Sequence, residues 1–256
     1  LDFCLDRQTP FSFACRACGH CCSGKIIMAG PHEVLGMARH LGIGTTEFLA
    51  LYSDHGGTTL RFGADGKCVF LTVDGCKVHP RRPLVCRLYP LGRSVDKDGV
   101  EKFARFAKEE GCKGEFGADG TIETFLELQG VAPYIEWSRR YGELYGRMLG
   151  LLDRLDIHSK IEVSEAGKPG EGSKGETTTE GGEVAAGAAE EADRSPLSSW
   201  QDIDASLADF CAAKGIAVPA GIEEAIDLHL QAIREWLDGL EVRVDTDRGG
   251  TEGVTS

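Results

Sequence analysis

Between 133 and 157 apolar side chains recur at spacings of three and four: Tyr134, Trp137, Tyr141, Leu144, Met148, Leu151 and Leu155. That period predicts one amphipathic helix. Gly142, Gly146 and Gly150 stand four apart on a shared face that would let a second helix approach closely. Glu143, Arg147 and Asp153 argue for soluble helix packing there rather than membrane dimerisation. Upstream, Gly30-Pro31 followed by Val34, Leu35, Ala38 and Leu41 predicts a helix opened by proline and closed at Gly42. Thr45, Thr46, Phe48, Leu49 and Tyr52 predict a second, short one. Segments 60–62 and 68–73 read as short strands separated by the turn Gly63-Ala64-Asp65-Gly66, with another tight turn at Asp74-Gly75 before Cys76. Downstream, 200–213 (Ile203, Leu207, Phe210) and 222–240 (Ile226, Ile233, Trp236, Leu237) predict two amphipathic helices. The segment 215–221, with Pro219, turns between them. They make a hairpin that docks on the first domain or on a protein partner.

The expected fold class is α+β: a small, irregular, metal-stabilised cysteine-cluster domain followed by amphipathic helices. The expected divisions are 1–130 for the metal-binding domain, 131–158 for the long helix and 199–241 for the helical hairpin. Residues 159–198 are Gly-, Glu-, Ala- and Thr-rich without an aromatic residue. Such a segment buries too little apolar surface to offset its ordering entropy, so a disordered acidic linker is expected. A flexible tail is expected at 242–256.

Charge follows the same division. The net charge is −13, yet residues 1–112 hold 15 Lys+Arg against 12 Asp+Glu, and the remainder 13 against 29. The acidic half is a poor partner for nucleic acid, and nothing in the near-neutral half invites one. No apolar run approaches the ~18–20 residues of a membrane span. Leu1 to Arg7 lacks a basic region followed by an apolar run, so no secretory leader is expected. The expected compartment is the cytoplasm, where thiols stay reduced and cysteine clusters tend to be metal sites.

Ten cysteines are present, eight of them between Cys15 and Cys112. Cys15-Arg-Ala-Cys18-Gly-His-Cys21-Cys22 opens the set. A two-residue gap lets the chain reverse around a metal with both sulfurs facing it. Three cysteines so spaced can wrap three corners of a cubane iron–sulfur cluster. Zinc uses the same unit, typically as two such pairs. Cys68, Cys76, Cys86 and Cys112 form no second pair, which favours iron–sulfur modestly. Adjacent Cys21 and Cys22 are awkward for one mononuclear site, because neighbouring side chains usually point apart. The eight thiols suit two four-thiolate sites, or one site plus structural or redox thiols. A disulfide scaffold is disfavoured by length and by the motif. His20 and His79 are possible substitute ligands, and Cys4 and Cys211 read as ordinary small hydrophobes.

Phe13-x-Cys15-x2-Cys18-Gly19-x-Cys21-Cys22, then Cys68-Val69-Phe70-Leu71, Cys76, and Arg82-Pro83-x2-Cys86-Arg87-x-Tyr89-Pro90 resemble the bacterial CxxCxxCC cysteine-cluster family, the YkgJ-like zinc- or iron-chelating domain. The resemblance covers about 13–117. It implies that Cys15, Cys18, Cys21, Cys22, Cys68, Cys76 and Cys86 are metal ligands, with Cys112 as the closing cysteine. The signature is also similar to that of flagellin lysine methylases, larger proteins associated with an iron–sulfur cluster. Arg82 or Arg87 could hydrogen-bond thiolate sulfurs or offset their charge.

These residues support a metal-binding protein with a structural, electron-transfer or metal-handling role. Its favoured cofactor is an iron–sulfur cluster of the 4Fe–4S type, with zinc as the alternative. A competing expectation is an iron–sulfur enzyme with methyltransferase-like or redox chemistry, although no G-x-G-x-x-G, P-loop or nucleophile–base arrangement accompanies the cysteines. A third is a metal-stabilised interaction module.

Overall fold

The computed structural model describes residues 2–154 and 200–249. The expected linker at 159–198, the last turn of the 131–158 helix and the chain beyond 249 lie outside the described residues. The fold is α+β. Seven α-helices and four two-stranded antiparallel sheets are present among the described residues.

Helix α1 (Pro31–Leu41) starts at proline and is closed by Gly42, and α2 (Thr45–Tyr52) follows after three residues. The cysteine-bearing region between them and α3 (Leu84–Leu88) is more irregular than its apolar runs suggest. Strands β2 (Ser53–Asp54), β3 (Thr59–Leu60), β4 (Leu71–Thr72) and β5 (Gly75–Cys76) are two residues each. The run 68–73 is not one strand. The Cys68 amide donates to Cys22 O at 2.8 Å, and the Leu71 amide turns back to Cys68 O at 2.9 Å. These bonds divert the chain after one bridge, between Phe62 and Cys68.

The sequence pattern did not foretell the longer ribbons. β1 (Pro10–Ala14) pairs with β8 (Glu115–Thr121), and β6 (Leu91–Val95) with β7 (Glu101–Arg105). α4 (Ile122–Leu128) follows β8 directly, with the Thr121 hydroxyl accepting from the Thr124 amide at its start. α5 (Ala132–Arg154) buries Tyr134, Tyr141, Leu144, Met148 and Leu151, the predicted stripe. Its glycines do something other than expected. A Cβ built at Gly142, Gly146 or Gly150 meets nothing within 4 Å. The opposite, apolar face takes the neighbouring helices, so the glycine face is left open.

Helix α6 (Ile203–Lys214) packs against α7 (Ile222–Gly249), α2 and α1, and α7 packs against α5 and α1. Cys211, rather than Phe210, joins Ile203 and Leu207 in the core. Phe210 instead lies under the Lys214 ammonium, 4.9 Å from its ring centroid. α7 continues eight residues beyond 241, since no glycine or proline interrupts it between Leu240 and Gly249.

Burial divides into three apolar clusters. One joins α5, α6 and α7 to Leu35 of α1. A second gathers Val34, Met37, Phe48, Phe70 and Val78 from α1, α2 and the short-strand region. A third gathers Phe11, Leu91, Phe103, Ile122 and Phe125 from the two ribbons and α4. The cysteine region lies between the second and third.

Candidate metal centre

Cys15 directly follows β1, and Ala14 is paired with Glu115. This register returns the 112–114 segment to the start of the C-x2-C-x2-C-C run from a hundred residues away. Cys18 then precedes Gly19, whose φ of +76° lets the chain enter the 3₁₀ turn His20–Cys22. A Cβ at Gly19 would lie 3.1 Å from Leu71, so glycine also admits the β4–β5 hairpin close to the turn. That hairpin carries Cys76 opposite Leu71. Cys68 is tied to Cys22 through the backbone bond already described, and Cys86 sits in α3. Gly111, at φ +77°, packs against the His20 ring, placing Cys112 beside the same turn.

The result is one cavity of about 650 Å³ lined by Cys15, Cys18, Cys21, Cys22, Cys68, Cys76, Cys86 and Cys112. Phe70 and Val78 of the second apolar cluster and Leu91 and Phe125 of the third form parts of its wall. Every thiol is free. Cys4 and Cys211 do not line the cavity; Cys4 is exposed and Cys211 is buried.

The thiols differ in environment. Cys21 and Cys22 do not point apart: their sulfurs are 3.9 Å from one another. The tight 3₁₀ turn brings the two side chains to the same side. The Cys22 thiol lowers the pKa of Cys21 to about 7 by hydrogen bonding, and Cys22 is correspondingly raised by that contact and by burial. Cys18 is lowered by the Lys113 amide, then by that of His20, with Cys112 adding a side-chain contact. Burial pushes Cys86 up to about 12, with Cys68, Cys76 and Cys21 adding like charge. Burial also raises Cys68 and Cys76.

Arg16, Lys25, Arg82 and Arg105 line the cavity with Glu109. Lys25 and Glu109 form an ion pair, and the Glu109 amide donates to Tyr89 Oη at 3.4 Å. Arg82 behaves partly as expected. Its guanidinium donates to His79 O at 2.8 Å and to Gln129 Oε1 at 2.5 Å, and it lies within electrostatic reach of Cys86, Cys76 and Cys15. Arg87 does not line the cavity. It donates to Pro80 O, Arg82 O, Gln129 O and Tyr134 Oη at 2.7–3.0 Å, and stacks over the Tyr134 ring. Arg87 thus straps the backbone instead of meeting sulfur. Of the two candidate histidines, His79 lines the cavity and His20 packs on Gly111 outside it.

Two contributors to this architecture carried no mark in the cysteine pattern. Gln129 receives both arginines, one at its side chain and one at its carbonyl. Glu33 holds the start of α3 through the Leu84 amide. The Gly30–Glu33 spacing does signal a helix start, but not the second contact.

The family model CxxCxxCC, described as a "Putative zinc- or iron-chelating domain", matches 14–113. The match covers 100 of the chain's 256 residues. All eight cavity cysteines fall inside this CxxCxxCC segment, and Cys4 and Cys211 fall outside it. No curated protein and no solved structure matches the chain.

The donor set fits the metals named by the family description. Soft thiolates suit zinc and iron–sulfur centres, and an apolar wall limits competition from water. Among the described residues, no three His, Cys, Asp or Glu side chains meet at a point suited to one metal ion. No described helix is long and apolar enough to cross a membrane.

Proposed function

We propose that the CxxCxxCC cavity holds an iron–sulfur centre of the 4Fe–4S type on thiolates drawn from Cys15, Cys18, Cys21, Cys22, Cys68, Cys76, Cys86 and Cys112. The carrying observation is that the eight cysteines of the matched segment, separated by up to 97 positions, line one cavity. A scatter of structural thiols gives no reason for such convergence. Zinc is the competing occupant, since the family description names both metals.

When bound, the centre supplies either an electron-transfer site or a cross-link among segments with little regular structure. The chain's own residues shape what it meets. The Cys21–Cys22 contact favours one thiolate near neutral pH, and the cationic lining residues offset accumulated negative charge. Arg82 acts at longer range, and Arg87 keeps the segment before α3 in place. The role is structural, electron-transferring or metal-handling. Among the described residues no cavity thiol is hydrogen-bonded to a histidine or a carboxylate, so an iron–sulfur enzyme ranks second. A reducing compartment such as the cytoplasm keeps the thiols available. The exposed side of the C-terminal helices is open to a protein partner, and no nucleic-acid or membrane partner is proposed.

The test is anaerobic purification followed by elemental analysis and a visible spectrum. Iron with acid-labile sulfide and broad visible absorption is expected. Stoichiometric zinc in colourless protein overturns the iron reading, and absence of both metals after anaerobic reconstitution overturns metal binding altogether. Because a metal bound only by the folded state contributes folding free energy, chelation of the loaded protein should also lower its Tm.

A further inference from the structure

We propose that Glu33 is a positioning residue of the metal centre, its carboxylate holding α3, and with it the Cys86 thiol, against the start of α1. The proposal rests on the metal-centre reading above. Glu33 is 5% exposed and lies outside the cavity wall, a buried acid with the Arg87 guanidinium within electrostatic reach. Its two oxygens have separate duties. One accepts the Gly30 amide at 2.7 Å and closes the first turn of α1. The other accepts the Leu84 amide at 2.6 Å, 51 residues away.

Leu84 is the first residue of α3, two before Cys86. This helix has five residues and no side-chain cap of its own at Pro83. So short a helix does not hold itself in water. Its first amide is met from another helix instead, and a buried amide without a partner is costly. On the following turn Arg87 ties α3 to the Pro80 and Arg82 carbonyls, to Gln129 and to Tyr134. Glu33 thus fixes one end of the element that carries Cys86, and Arg87 the other. Cys86 has the second apolar cluster behind it and the cavity in front. Loss of the Glu33 contact frees the first turn of α3, on which this thiol stands, without touching the other seven.

The test uses the full chain carrying Glu33→Gln or Glu33→Ala, with Leu207→Ala as a destabilised control in the C-terminal helices. A glutamine keeps one carbonyl acceptor, enough for one amide but not both, so its effect should be the smaller. In metal-free protein, iodoacetamide labelling of each cysteine is followed by peptide mass spectrometry. Cys86 should react at least about tenfold faster in Glu33→Ala, while buried Cys211 keeps its wild-type protection. Metal affinity, read by competition with a chelator, should fall about 10–100-fold, the range usual for residues that orient a ligand from behind. Leu207→Ala should leave the Cys86 rate and the affinity near wild type.

Unchanged Cys86 labelling in both variants overturns the proposal. Equal acceleration at Cys86 and Cys211 in both variants also overturns it, because Glu33 then stabilises the whole fold. So does a selective rise at Cys86 with metal affinity unaltered. If the wild-type chain takes up neither iron nor zinc, the metal-centre reading fails, while the labelling still reports whether Glu33 holds Cys86.

Discussion

At Cys21 and Cys22, two neighbouring thiols 3.9 Å apart share one hydrogen bond, and their proton affinities are driven in opposite directions. Thiolate is the reactive form. In metal-free protein at pH 7.5, iodoacetamide should therefore label Cys21 well ahead of Cys22; equal rates in a peptide map would contradict the pairing. A second residue-scale effect lies at two buried histidines. His32 sits among Tyr134, Trp137 and Tyr141, stacked on the last at 5.7 Å. Tyr141 in turn shares a 2.9 Å hydrogen bond with His229 Nδ1. Burial lowers each imidazole from 6.5 to about 4. A histidine kept neutral in the folded state binds its proton sooner when unfolded. Stability is therefore fully present above pH 6.5, and is lost as pH falls from 6.5 toward 4. The slope inside that window is about 1.4 kcal/mol per pH unit for each histidine. Urea midpoints between pH 7.5 and 4.5 test this. Among the described residues His32 Nδ1 has no hydrogen-bond partner and Nε2 has only a long contact, 3.5 Å, to the Ser138 hydroxyl, so His32→Phe should reduce the acid sensitivity by about half at little cost at pH 7.5.

Helices of this protein are joined by side chains that serve two elements at once. Asp202 begins its own helix, accepting the Ala205 amide at 3.1 Å, and also takes the Thr45 and Thr46 hydroxyls at 2.6 and 2.7 Å. Asp204 accepts the Thr45 amide at 2.7 Å and pairs with Arg39. Thus α6 supplies the cap that α2 lacks: Gly44 offers no side chain there. Asp204→Ala should cost about 1–2 kcal/mol in urea unfolding, the upper end being limited by partial exposure of the ion pair. The glycines of α5 lead to an opposite expectation. Their face is open, so Gly142→Ala, Gly146→Ala and Gly150→Ala should each stabilise by about 0.5–1 kcal/mol through lower unfolded-state entropy and better helix propensity. A loss of stability at these positions would revive the close-packing reading. The helical period made α5 visible in the sequence but did not say which polar face would remain uncovered. Nor could a pattern of five residues announce α3, whose ends are held by Glu33 and Arg87.

Across the whole molecule, the largest apolar cluster joins 141–151 to the helices beyond 200 and to Leu35 within the CxxCxxCC segment. Arg140 with Asp227, and Arg147 with Asp238 and Glu241, add ion pairs along the same seam. Truncation after 158 would uncover Tyr141, Leu144, Met148 and Leu151 together, and an apolar face of that extent promotes aggregation. A protease site engineered at 175 separates chain continuity from packing: after cleavage, the two fragments should still co-elute in gel filtration. Separation of the fragments would show that the seam does not hold by itself.

Local spacing and period already determined where the chemistry is concentrated and which segments are helical: eight cysteines within 15–112, α1 and α2 marked by their proline and threonine starts, and the stripes of α5, α6 and α7. Such signals depend on neighbours within a turn or two. Tertiary structure decided the rest. It paired β1 with β8 across about a hundred residues, gathered eight thiols between two apolar clusters and turned Cys21 and Cys22 toward each other. It also sent Arg87 to the backbone and gave Glu33 a second amide far along the chain. Those outcomes depend on which distant surfaces cover one another and on whether each buried polar group finds a partner, and neither is written in the period of a single segment.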